Sequence, residues 1–313
     1  MKVGLISLVH EELHEPPYGH PENSSRMAIP LQVLMESTLK EGIEVLTPDA
    51  VEAADIIYQV HNKNYIERVR EISEAGGGYL DGDTYVTEGT YEAAWMTASA
   101  AVWSTGELLE GRWKRIFLAG RPPGHHAERN FGMGFCIINN TAVAAEAAIK
   151  KHGLKRVAII DWDVHHGNGT QRTFYERDDV LFISLHRYPF YPGSGATAEK
   201  GESRGENYTL NIPLPAGSDD EIYIGEFKKR AIPALMRYEP EFIIITAGFD
   251  AHEEDPLGGM RMTEQGFGEM TRLLVEVAEQ FCEGRILSLF EGGYSPQGNS
   301  LSLNQHIREL QRD

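Results

Sequence analysis

Residues 159–170 read Ile-Ile-Asp-Trp-Asp-Val-His-His-Gly-Asn-Gly-Thr, an apolar run that passes straight into carboxylates and imidazoles. In an extended chain, side chains two apart point the same way. Asp161, Asp163 and His165 therefore share a face, with Trp162 and Val164 on the other. A carboxylate and an imidazole at that spacing can grip one metal ion. Mixed nitrogen and oxygen ligands suit zinc, with iron, cobalt or manganese as alternatives. The other reading is a polar strand end that caps nearby helices. Burying two neighbouring carboxylates without a cation is costly, which weighs against it.

A catalytic zinc usually has three protein ligands and keeps a fourth position open. Asp250, just beyond the apolar run 242–249, is the candidate for the third. Taken alone, an Asp after a strand reads equally as a helix cap. His125 and His126 follow Arg121-Pro122-Pro123-Gly124 on a loop that the prolines stiffen. Paired imidazoles beside a metal suit general acid–base work, because imidazole titrates near neutrality. Such a base needs an orienting partner on its other ring nitrogen, and Asp161 and Asn168 are available. In Glu291-Gly292-Gly293-Tyr294 the two glycines could aim the Tyr294 hydroxyl at a developing oxyanion; the same residues also make an ordinary turn.

These residues need a scaffold. Short apolar runs at 3–9, 115–119, 156–160, 180–185, 242–246 and 285–290 have the length and near-continuous apolar character of strands buried on both faces. Between them, 91–109, 140–151, 219–238 and 263–283 carry helical periodicity, with Gly153 and Gly284 as terminators. Alternating strands and helices predict an α/β fold with a mainly parallel central sheet and helices on both faces, one catalytic domain over 1–313. In such folds the chemistry gathers at the carboxyl ends of the strands, where the polar residues above fall.

Asp plus Glu outnumber Lys plus Arg by 47 to 29, a net charge of -18, which excludes a phosphate backbone as partner and is compatible with a cationic substrate. It also reads simply as a soluble, acidic surface. The two cysteines, Cys136 and Cys282, form no metal-type pair and fit a reducing, cytoplasmic setting. The apolar start at 3–9 is too short for a signal peptide, and no run approaches the roughly 20 residues a membrane helix needs.

With these motifs in order, the chain resembles the histone deacetylase superfamily: zinc-dependent deacetylases, acetylpolyamine amidohydrolases and bacterial relatives with an arginase-like α/β fold. The resemblance runs from 19–26 through 121–126, 134–136, 161–171, 184–188 and 247–250 to 291–294. It implies that Asp163, His165 and Asp250 are the zinc ligands, that His126 is the general base and acid, and that His125 is its electrostatic companion. Asp161 and Asn168 match the residues that orient the two histidines. Asn168 stands where class I enzymes carry Asp and class II enzymes share the Asn. Tyr294 matches the residue that polarises the substrate carbonyl; the weakly active vertebrate class IIa enzymes lack it. Phe135 and Tyr191 match the aromatic walls of the acyl-lysine tunnel, although the second wall is often Phe. The Gly134 carbonyl matches an acceptor for the substrate amide, and Arg26 an arginine near the cavity where acetate leaves. The resemblance also implies a potassium ion involving Asp161, Asp163, His165, Ser184 and Leu185.

The implied reaction is hydrolysis of an acylated amine. In the sequence Asp255-Pro256-Leu257-Gly258-Gly259, Leu257 stands where the polyamine-selective animal member carries Glu, so an acylated lysine in a peptide or protein is expected ahead of an acetylated polyamine. Two further readings differ in class. A dimanganese arginase- or agmatinase-like hydrolase needs more bridging carboxylates. A non-catalytic acyl-lysine-binding module would show damaged catalytic positions. Asp81 and Asp83 lie on a loop that could hold the substrate backbone, an oligomer is compatible with the sequence, and His10 and His14 read as solvent-facing loop residues.

Overall fold

The computed structural model describes residues 1–312. Eight parallel strands form the central sheet in the order β2-β1-β5-β10-β9-β6-β7-β8. These are β1 (Val3–Leu8), β2 (Ile43–Val45), β5 (Arg115–Gly120), β6 (Val157–Asp161), β7 (Val180–Arg187), β8 (Thr209–Leu214), β9 (Phe242–Ala247) and β10 (Ile286–Phe290), while β3 (Gly78–Tyr79) and β4 (Tyr85–Val86) make a small antiparallel hairpin. Strands β5, β6, β9 and β10 are buried along their whole length, as parallel strands covered on both faces must be.

One face of the sheet packs on α2 (Ala54–Val60), α3 (Lys63–Glu74), α4 (Thr90–Leu109) and α5 (Asn140–Lys150) through a core that includes Ile116, Leu118, Ile159, Phe182 and Ile244. The opposite face packs on α1 (Ser25–Glu36), α7 (Asp220–Glu226), α8 (Ile232–Tyr238), α9 (Glu264–Phe281) and α10 (Pro296–Leu310), with Trp162, Phe249, Phe267 and Phe290 between the layers. Helix α6 (Asn168–Phe174) follows β6 after the loop 162–167.

All six expected strands are present within one to two residues of the bounds read from the sequence. The two edge strands were not anticipated: β2 has three residues, and β8 carries Pro213, which an edge strand tolerates and a central one does not. The single helix expected over 219–238 is divided by a π turn at Phe227–Ala231 just before Pro233. Proline has no N–H for the helical ladder and crowds the preceding turn, which accounts for the extra residue there. Helix α1 was not foreseen because Pro30 lies inside it. The carbonyl Pro30 cannot serve is that of Arg26, and it accepts instead from Asn299 Nδ2 of α10 at 2.7 Å. Gly153 and Gly284 do end their helices in the left-handed region, at φ 76° and 79°.

The ladder register aligns the strand ends. Asp161 pairs with Thr246, and Ala247 with Phe290, so β6, β9 and β10 finish on the same edge of the sheet. Their C-terminal loops carry Asp163, Asp250 and Gly292 into one crevice.

Candidate metal centre and active site

Asp163, His165 and Asp250 each offer a ligand atom, and these atoms lie within 4.8 Å of one another. His165 Nδ1 is 3.1 Å from Asp163 Oδ1 and 3.1 Å from Asp250 Oδ2. Backbone amides hold the remaining carboxylate oxygens: Gly292 N–H donates to Asp163 Oδ2 at 2.8 Å and Val164 N–H to Asp250 Oδ1 at 2.7 Å. A Cβ at Gly292 would collide with both carboxylates, so the close approach of that backbone requires glycine.

The electrostatics fit a cation. Burial, then the neighbouring Asp163, pushes the Asp250 carboxyl up to about 7. Burial likewise disfavours charge on Asp163, yet His125 and His165 hold it well below the usual carboxylate range. Burial acts to lower His165, but the two carboxylates outweigh it and raise the ring to about 9. Two buried carboxylates that compete for one imidazole proton would be relieved by a dication at the same point. The donor set, two carboxylates and one imidazole, suits a divalent metal with an open coordination position.

The two neighbouring histidines sit in unlike environments. His125 Nδ1 is 3.1 Å from Asp161 Oδ2, and His126 Nδ1 is 2.7 Å from Asn168 Oδ1. The rings are 4.0 Å apart. Burial works against charge on His125, but Asp163 and Asp161 overcome it and raise the ring to about 10. For His126, burial followed by repulsion from His125 and His165 holds the ring well below its ordinary value, with only a neutral amide in reach of Nδ1. Environment thus pushes the pair apart, one charged and one neutral, which is how paired acid–base groups acquire distinct roles.

A narrow cavity of about 100 Å³ leads to this point, lined by Asp83, His126, Gly134, Phe135, His165, Tyr191, Leu257 and Tyr294. A larger cleft of about 520 Å³, beside Arg129 and Arg172, lies elsewhere on the surface and includes none of the three ligand residues. Gly134 has φ 56°, and a Cβ there would meet the His126 ring. Phe135 follows at φ 68°, held by its N–H to Thr84 Oγ1 at 3.0 Å and by edge contact with His20. A bulky residue in this region costs on the order of 1–3 kcal/mol, and such strain concentrates at sites. Tyr191 stands edge-on to His126 at 5.2 Å across the cavity. Tyr294 N–H donates to Asp255 Oδ2 at 2.7 Å, while Asp255 Oδ1 accepts from Leu257 and Gly258 N–H, so one carboxylate sets both walls.

Arg26 lies behind Tyr294, 5.4 Å from its ring centroid, and donates to the carbonyls of Glu291 and Gly293 at 2.7 and 3.3 Å. Its Nη2 is buried without a protein partner. Ser184 pairs with Asp161 across the ladder, and Leu185 follows on the same strand. Asp83 reaches the cavity rim, whereas Asp81 caps its own turn by accepting from Asp83 and Thr84 N–H. One expectation fails. His14 does not face solvent; it is 2% exposed and bonded to Thr90 and Glu22 at 2.7 and 3.1 Å, and His10 is half-buried against Thr97. The burial arises because β1 delivers residues 10–14 under α4, a tertiary contact that isolated histidines do not signal.

Several working residues carried no assigned role in the sequence reading. Glu291 accepts from Gly124 and His125 N–H at 2.7 and 3.2 Å and so clamps the histidine loop. Phe190 stacks on His165 at 5.3 Å and is covered by the Arg187 guanidinium at 3.9 Å. His125, Cys136 and Glu291 also form a close group, but burial pushes the Cys136 thiol well above its ordinary range, which makes it a poor ligand.

A parallel α/β sheet whose strand ends gather two carboxylates and an imidazole able to hold a metal ion, beside two histidines in unlike environments and a tyrosine, is the arrangement expected of a metal-dependent hydrolase. The chain belongs to the histone deacetylase family: the histone deacetylase domain model matches residues 20–310. It is 40% identical over 302 residues to a probable deacetylase of Archaeoglobus fulgidus, covering 95% of this chain and 83% of that one. It is 39% identical over 284 residues to a histone deacetylase-like amidohydrolase of Pseudomonas aeruginosa, covering 90% and 74%. The crystal structure of the HDA15 HD domain superposes with a TM-score of 0.92 at 36% identity, covering 99% of this chain and 89% of that one. Among the described residues no helix is long and apolar enough to cross a membrane.

Proposed function

We propose that this chain is a zinc-dependent amidohydrolase that removes an acetyl or related acyl group from the side-chain amine of acylated lysine in peptides or proteins. The observation that carries the reading is the convergence of Asp163, His165 and Asp250 at the foot of a narrow cavity whose walls include His126 and Tyr294. A divalent metal held by those three residues would supply Lewis acidity to the acyl oxygen and to a hydrolytic water.

The chain's own groups do the rest. His126, neutral with Nδ1 bonded to Asn168, takes the proton of the attacking water on Nε2. The water oxygen bonds to the acyl carbon, the C–N bond breaks, and the departing amine receives a proton from the same imidazole. His125, charged beside Asp161, stabilises negative charge as it builds. The Tyr294 hydroxyl donates to the acyl oxygen in the same phase. Phe135 and Tyr191 exclude water along the alkyl chain, and the Gly134 carbonyl accepts from the substrate amide. Arg26 stands where acetate departs, with its unpartnered Nη2 as the donor.

Residues 1–313 act as one catalytic domain, with potassium beside Asp161, Asp163, His165, Ser184 and Leu185. The adjacency of Asp161 and Ser184 in the ladder supports that placement. Two buried free thiols accord with a cytoplasmic location. The acylated-polyamine reading draws on Asp83 at the cavity rim and on the net charge of -18. Leu257, which also lines the cavity and is 39% exposed, gives a second ammonium no reward and favours the lysine substrate. Turnover of an acetyl-lysine peptide beside acetylputrescine, with and without chelator, tests the reading. Chelator-sensitive hydrolysis of the peptide supports it, and hydrolysis of neither compound counts against it.

A further inference from the structure

We infer that Glu128 is a positioning residue for this reaction: its carboxylate orients the Asn168 amide and thereby selects which nitrogen of His126 carries the proton. The inference rests on the assignment of His126 as the base.

The contrast between the two histidines motivates it. Asp161 can only accept, so its bond to His125 Nδ1 leaves one outcome, a proton on that nitrogen. Asn168 is different. Its amide has an oxygen and an NH2 of nearly equal size, and rotation by half a turn exchanges them. With Oδ1 toward His126 Nδ1, as found at 2.7 Å, Nδ1 is the protonated nitrogen and Nε2 keeps a lone pair facing the cavity. With the NH2 turned inward, Nδ1 would accept, the proton would move to Nε2, and the base would be lost. Asn168 itself does not choose between these states.

The surroundings of its nitrogen do. Asn168 Nδ2 donates to Glu128 Oε1 at 2.9 Å. It also lies 3.4 Å from the His126 carbonyl and 3.5 Å from Met133 Sδ, both acceptors. The carboxylate makes the shortest of the three contacts and is the only charged acceptor, and it cannot donate to Oδ1 of a flipped amide. Glu128 is itself fixed: its N–H donates to the Phe131 carbonyl at 2.9 Å, and its own carbonyl lies 2.9 Å from His61 Nδ1. Polarity therefore runs from Glu128 through Asn168 to His126, and supplies at one remove what Asp161 gives His125 directly. The negative charge stays one residue away from the ring.

The test uses the full metal-loaded chain. In Glu128→Leu, kcat for an acetyl-lysine peptide falls by about 10- to 100-fold, the usual cost of losing an outer orienting partner, with KM within about twofold. Metal content and Tm stay at wild-type values. Glu128→Gln, whose amide can either accept from Asn168 Nδ2 or donate to Oδ1 of a flipped Asn168, gives a kcat between those of the wild type and Glu128→Leu. Ring ¹⁵N spectra report Nδ1–H for His126 in the wild type and a mixed or reversed tautomer in Glu128→Leu. If Glu128→Leu does not fold, Glu128→Ala takes its place. Wild-type kcat in these apolar variants, or an unchanged His126 tautomer in them, overturns the orienting role. His126→Ala separates the two failures: activity there defeats the assignment of the base itself, whatever Glu128 does.

Discussion

Asp250 Oδ2 lies 3.1 Å from His165 Nδ1 although 85 residues separate the two in sequence. Adjacent parallel strands make this possible: β6 and β9 pair in register up to Asp161 and Thr246, so the loops that follow leave the sheet side by side. The cost is a pair of carboxylates, each at most 1% exposed, around one imidazole. Such a group is stable as a metal site and poor as a structural one.

Tyr294→Phe removes a hydroxyl from the cavity wall but keeps the ring that packs edge-on to Phe135 at 5.8 Å. Loss of one oxyanion donor lowers kcat by about 10²–10³-fold. Thermal unfolding stays near wild type, because the backbone anchor of this residue is its N–H to Asp255 rather than its hydroxyl. Near-normal steady-state turnover would remove Tyr294 from the mechanism.

Leu257→Glu places a carboxylate at the rim of the cavity, opposite no cation of the chain's own lining. A half-exposed ion pair with a substrate ammonium contributes about 1 kcal/mol, or roughly fivefold. The expected outcome is a rise of that size in kcat/KM for acetylputrescine relative to a neutral acetyl-lysine peptide. An unchanged ratio would mean that position 257 does not face the distal amine.

Glu22 ties the N-terminal segment to the site. It meets Arg121 Nε and Nη2 at 2.7 and 2.9 Å, Arg26 Nε at 3.0 Å and His14 Nε2 at 3.1 Å. Burial alone would raise its carboxyl, but Arg121, Arg26 and His14 hold it well below the usual range. A folded-state value below the unfolded one contributes stability above the unfolded value, which is lost as pH falls. Denaturant midpoints of the wild type should therefore decline from about pH 5 downward, and those of Glu22→Gln should decline less. At pH 7 Glu22→Gln costs about 3–5 kcal/mol, because two buried guanidiniums lose their counter-charge. A flat wild-type profile between pH 5 and about 3 would contradict this.

Burial raises both thiols, Cys136 well above its ordinary range and Cys282 to about 12. The thiolate is the reactive form. Iodoacetamide at about pH 8, where an ordinary thiol of pKa about 8.5 reacts, should leave both unmodified in the native chain and label both after unfolding. Mass spectrometry that finds Cys136 alkylated in folded protein would show the site interior open to solvent.

Legibility in the sequence followed the physics of each element. Central strands announced themselves, because burial on both faces leaves continuous apolar runs such as 242–247. Two of the three candidate metal residues, Asp163 and His165, stood out because they follow an apolar run at a two-residue spacing; Asp161 of the same motif turns instead to His125, and Asp250 joins the group only through the fold. Helix α1 did not, since Pro30 contradicts its own local rule and the carbonyl it leaves free, that of Arg26, is satisfied by Asn299, a contact across 273 residues. Helix α10 could have been read: Ser295 before Pro296 is the expected cap and first position, and Ser295 Oγ accepts from Gly298 N–H at 3.1 Å. The clamps Glu291, Asp255 and Glu128 were invisible as such, because a lone carboxylate near a loop shows its hydrogen-bond partners only once the chain is folded.

The central claim is most directly tested by elemental analysis of the purified chain alongside its turnover of an acetyl-lysine peptide, before and after chelation and in Asp250→Asn. The account predicts about one catalytic divalent ion per chain, lost with activity on chelation, restored on adding zinc, and largely absent from the variant. Full turnover by metal-free protein, or a requirement for two catalytic divalent ions, would contradict it.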